Sequence, residues 1–78
     1  MPAEPTELQR LVNRAFAGSS MVDRLEVVLL AESLDLPYRV RAIVTLLPPG
    51  RYSRQQLCDQ LNSAITAHGY GTTLGTVE

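Results

Sequence analysis

Lysine and tryptophan are missing from this chain of 78 residues, and cysteine, histidine and phenylalanine occur once each, as Cys58, His68 and Phe16. Each shortage excludes something. One cysteine cannot form an internal disulfide, and one Cys with one His is no metal-ligand set. Cys58 and His68 lie ten residues apart in what reads as a single helix, about 15 Å of rise and about 280° of rotation, so they cannot act as nucleophile and base. Cys58 reads as a small residue at the core edge, and His68 as a C-terminal helix residue favoured by the dipole. The opening Met1-Pro2-Ala3-Glu4-Pro5 has neither the basic nor the apolar region of a signal peptide, and the longest aliphatic run, Val27–Ala31, is far short of a membrane span. The expected compartment is therefore a reducing cytoplasm, with no membrane contact. Gly69-Tyr70-Gly71 and Gly75 follow a helix rather than a strand, at the wrong spacing for a dinucleotide loop. The acids Glu4, Glu7, Asp23, Glu26, Glu32 and Asp35 read as caps or solvated faces, with no pair at general acid/base spacing. The expectation is a protein that is not an enzyme and has no cofactor, metal or catalytic residue.

What is present is a hydrophobic content of 45%, enough for a packed fold. With so few aromatics the core must be Leu, Val, Ile and Ala. The length suits a single helical domain, 1–78. Such a chain buries only about 60–65% of its unfolded surface. Marginal burial, with the apolar Val27–Ala31 run, leads to the expectation of a homodimer.

Hydrophobic spacing gives four helices. Pro5 and Glu7 suit a first turn, and Leu8, Leu11, Val12, Ala15 and Phe16 recur at helical spacing up to a stop near Gly18. Ser20 with Asp23 approximates a capping box for a second helix, Met21 to about Leu34, apolar enough to be buried on most sides. Pro37 opens a third, with Val40, Ile43, Val44 and Leu47 on one face and Arg39 and Arg41 off it, stopped by Pro48-Pro49-Gly50. The fourth has the strongest local grammar. Ser53 and Gln56 make a capping box, Tyr52 and Leu57 a hydrophobic staple, and Leu57, Leu61, Ala64, Ile65 and His68 an inner face. Gly69 suits the stop, with Tyr70 placed to cover Ile65. The tail, 70–78, reads equally as an arm, a short strand or the start of another helix. The fold expected is all-α, a compact orthogonal four-helix bundle with a short C-terminal extension.

Charge is unevenly spread. Residues 1–35 carry a net −3, the stretch 36–58 carries Arg39, Arg41, Arg51 and Arg54 with no acid, and 59–78 carry −2. A one-signed patch attracts partners of the other sign. Arginine also makes planar, paired contacts to carboxylate or phosphate, and Arg51 and Arg54 fall at the start of a helix, where free N–H groups favour anions. These four arginines are the candidate partner-binding site. Two other readings remain open: that they brace the acids of the first two helices, or that they form a plain solvated face.

Leu36-Pro37, Val40, Ile43-Val44 and Leu47, then Ser53, Leu57 and Leu61, a glycine, and Leu74-Gly75-Thr76-Val77 resemble the helix-turn-helix half of winged-helix regulators, the ferric-uptake-regulator type in particular. The resemblance covers residues 36–78 and implies a similar local fold, with a recognition helix opening near Leu74. That segment has no Arg or Lys, and the family's wing, metal ligands and dimer domain have no counterpart here. The function expected is thus a non-catalytic interaction or regulatory module that binds an acidic protein surface. The alternative is a small nucleic-acid-binding transcriptional regulator.

Overall fold

Thr6 begins the described chain by accepting a hydrogen bond on its hydroxyl from the Gln9 N–H, capping a helix α1, Glu7–Ala15. The computed structural model describes residues 6–67, 69 and 76–78. Expectations for Pro5, His68, Tyr70 and residues 70–75 lie outside them. Leu8, Leu11 and Val12 turn inward from α1, as their spacing requires, with Ala15 and Phe16 partly buried against the same core. The helix ends at Ala15, short of Gly18.

The element order is then β1 (Met21–Asp23), α2 (Arg24–Ser33), α3 (Tyr38–Thr45), β2 (Arg51–Ser53) and α4 (Arg54–Ala67). The two strands pair antiparallel, Met21 opposite Ser53, Val22 opposite Tyr52 and Asp23 opposite Arg51. The molecule is therefore mostly helical with a small sheet, and all-α is corrected. Strands of three residues are too short to show a two-residue alternation. Their pairing comes from burying Val22 and Tyr52 at the centre of the ribbon.

The start of α2 is corrected with it. Asp23, not Ser20, is the cap: its carboxylate accepts from the Glu26 N–H at 2.7 Å, and Glu26 accepts from the Asp23 N–H at 3.1 Å. A capping box needs Glu or Gln at the third helical position. Glu26 supplies that reach; from Ser20 the corresponding residue would be Asp23, one methylene shorter. At α4 the same device stands where the sequence places it. Ser53 Oγ accepts from the Gln56 N–H at 3.2 Å, and Gln56 Oε1 accepts from the Ser53 N–H at 2.9 Å.

Two helix–strand–helix units result. In each, a five-residue link (16–20, 46–50) leads to a strand whose last residue caps the next helix. Neighbouring helices pack in chain order, α1 on α2, α2 on α3 and α3 on α4. Their shared core is wholly apolar among the described residues, and includes Leu8, Val27, Val40, Ile43, Leu57, Leu61 and Ile65. The Cα radius of gyration, 11.5 Å, equals the value of about 11.5 Å expected for a compact chain of this length. The α2–α3 corner is closed by a Schellman turn. Asp35 takes a left-handed φ of 52°, its N–H donates to Glu32 O, and the Leu36 N–H donates to Ala31 O.

Candidate functional site

Arg39 and Arg41 stand two positions apart on α3, about 200° around its axis, on either side of the buried Val40. Both are exposed, and they leave the helix on opposite flanks. Arg41 borders a groove between α2 and α3 with Val28, Glu32, Tyr38 and Thr45. Arg51 is exposed on β2, in register with Asp23. Arg54 is tied down by hydrogen bonds. It donates to Asn13 Oδ1 on α1 and to the main-chain oxygen of Glu78, the latter from Nη2 at 2.8 Å and Nε at 3.3 Å. Helix rotation and the sheet thus spread the four arginines over several faces.

Among the described residues the arginines that donate side-chain hydrogen bonds are Arg24 and Arg54, and they donate to main-chain oxygens and an amide, not to side-chain carboxylates. Arg24 is the counterpart of Arg54 in the first helix–strand–helix unit. Its Nε donates to Leu47 O at 2.8 Å and its Nη2 to Thr45 O at 3.1 Å. The carbonyls at the end of α3 carry partial negative charge and lack helical partners, so a guanidinium there satisfies both needs.

A second basic locus is brought together on α1. Arg10, Asn13 and Arg14 lie along one face of α1 and, with Ala17 from the link after it and Leu34 and Leu36 from the turn after α2, border a groove. Its floor is apolar and its rim cationic. The sequence carried the signal in the spacing of Arg10 and Arg14, but the surplus of acids over residues 1–35 masked it. Arg54, through Asn13, reaches the same helix.

Each helix–strand–helix unit also invites comparison with calcium-binding loops of twelve residues, which present oxygen ligands at positions 1, 3, 5, 7, 9 and 12. With Asp23 and Glu26 at the ninth and twelfth positions, the first, third and fifth are Ala15, Ala17 and Ser19. The corresponding residues before Ser53 and Gln56 are Thr45, Leu47 and Pro49. Neither loop presents a carboxylate at its first, third or fifth position, and the side chains at the ninth and twelfth are occupied with each other in the capping box. Among the described residues no cluster of three His, Cys, Asp or Glu converges elsewhere.

Cys58 is buried on α4 beside Val77. Burial pushes its thiol pKa up; Arg54 opposes this, while Asp59 and Glu78 act in the same direction as burial. A thiol held protonated is a poor nucleophile. No helix among the described residues is long and apolar enough to cross a membrane. Comparison with protein-family models, with curated proteins and with solved structures found no match, so the functional reading rests on the geometry alone.

Proposed function

We propose that this chain is a non-catalytic interaction module, a cytoplasmic regulator or adaptor on an orthogonally crossed four-helix scaffold, that binds an acidic segment of a partner protein. The observation that carries the reading is the groove with Arg10 and Arg14 on its rim and Leu34 and Leu36 on its floor. An acidic amphipathic segment offers both complements, apolar side chains for the floor and carboxylates for the guanidinium forks. Arg39, Arg41 and Arg51, exposed beyond this groove, widen the basic field that steers such a partner. Tyr38, 79% exposed beside Arg39, adds an amphipathic contact of the kind that anchors protein interfaces.

The test is titration of a labelled acidic amphipathic peptide against the chain, Arg10→Glu with Arg14→Glu, and Arg39→Glu with Arg41→Glu. Loss of binding in the first pair, with an unchanged melt, supports the α1 groove. Loss only in the second moves the site to α3. Equal binding by all three refutes an arginine-based site.

The alternative, a helix-turn-helix nucleic-acid regulator, is tested by titrating a short DNA duplex at two salt concentrations. Phosphate contacts give a steep fall of log affinity with log salt, about 0.9 per phosphate neutralised. Tight duplex binding with that slope, and none of the peptide, would replace the proposal.

A further inference from the structure

Residues 76–78 lie between α1 and α4, the two ends of the helix succession, in a manner that the charge pattern does not explain. Consecutive residues of an extended chain present their N–H and C=O groups to opposite sides. Here a carboxamide waits on each side. On α4, Asn62 Oδ1 accepts from the Val77 N–H at 2.8 Å and its Nδ2 donates to Val77 O at 3.0 Å. On α1, Gln9 Oε1 accepts from the Glu78 N–H at 2.9 Å and its Nε2 donates to Glu78 O at 2.7 Å. Arg54 donates to the same Glu78 oxygen. The Val77 side chain is 5% exposed and joins the core, and it borders a surface pocket together with Cys58 of α4.

We propose that this groove is a peptide clamp that reads main chain in two directions and one small aliphatic side chain, and that its partner in trans is the same segment of a second copy. The groove recognises backbone groups plus a valine, so it does not distinguish its own residues 76–78 from those of another molecule. The segment already shown to fit is the one that every copy carries. Gly69 holds a left-handed φ of 73° with its N–H donating to Thr66 O, and the link 70–75 beyond it has a contour of at most about 21 Å. Exchange requires that link to carry Val77 into the groove of an adjacent copy. Reciprocal exchange then gives a two-fold dimer with each site completed by its partner.

The experiment uses the full chain, Asn62→Ala, which keeps the segment and damages the groove, and Val77→Asp, which does the reverse. Light scattering should give a dimer for the wild type and a monomer for each variant alone, with helical circular dichroism retained. Mixing the variants should restore a heterodimer, because the intact groove of one accepts the intact segment of the other. Labelling of Cys58 by a thiol reagent should accelerate in Val77→Asp, reporting an open groove, and slow again on mixing. Where Asn62→Ala loses its helical signal, Gln9→Ala takes its place as the milder groove lesion, and where Val77→Asp does, Val77→Ala takes its place as the milder segment lesion; each should lower the dimer fraction. A monomeric wild type, no restoration on mixing, or a dimer that survives both lesions overturns the proposal; the last result would assign association to another face. None of these outcomes depends on the α1 basic groove.

Discussion

Asp35 occupies a backbone region that costs an L-residue roughly 1–2 kcal/mol, less for Asp than for most others. The Schellman turn demands that conformation, because the Leu36 N–H must fold back to Ala31 O. Asp35→Gly should therefore raise the unfolding free energy by about 0.5–1 kcal/mol, and Asp35→Val should lower it, as read from denaturant midpoints. Arg24 acts at the other end of the same unit, where it donates to carbonyls at the end of α3. Arg24→Gln should lower stability by about 1 kcal/mol, whereas Arg39→Gln, exposed on α3, should change it by less than about 0.5 kcal/mol. Cys58 adds a pH dependence. Its folded-state pKa is raised, so its stabilising contribution is complete below the unfolded value and is lost as pH rises through the folded one. The melting temperature of Cys58→Ala should accordingly fall less steeply on the alkaline side than that of the parent chain.

The elements are organised by two copies of one device, a short strand ending in a capping box. Asp23 with Glu26 starts α2 and Ser53 with Gln56 starts α4. Each cap replaced by alanine should cost roughly 1 kcal/mol. Because each cap residue is also the end of a paired strand, the two losses should not be independent. A double variant Asp23→Ala with Ser53→Ala should deviate from additivity, a deviation that a double-mutant cycle measures. Strict additivity would mean that the ribbon contributes no coupling between the units. Tyr52 strengthens this ribbon twice, by burying its ring and by donating its hydroxyl hydrogen to Pro48 O.

For the whole molecule the unresolved tension lies on α2. Leu25 and Leu29 are one turn apart and stay 61% and 54% exposed, while Val27 and Ala31 on the opposite side are buried. A helix apolar on all sides normally has a cover on all sides. Leu25→Lys with Leu29→Glu should leave the melt nearly unchanged, since isolated exposed positions contribute little. If this face also contributes to assembly, the pair should lower the dimer mass seen by light scattering; an unchanged mass would leave association to the tail groove.

What the sequence determined by itself is local. Leu8, Leu11 and Val12, then Val40, Ile43 and Val44, then Leu57, Leu61 and Ile65 place the inner faces of three helices, because a period of 3.6 residues needs no partner to be legible. The box at Ser53 was legible for the same reason, since cap and acceptor are three residues apart. Everything that joins distant residues was set by packing instead. Pairing of Val22 with Tyr52 turned the expected first turn of α2 into a strand and moved its cap to Asp23. The run of arginines from 39 to 54 is continuous along the chain, yet helix rotation separates Arg39 from Arg41, and Asn13 and Glu78 draw Arg54 to α1. Linear charge density records the order of residues, whereas a binding surface depends on direction. Direction is set by packing contacts such as Gln9 with Glu78, 69 residues apart, which no local pattern encodes.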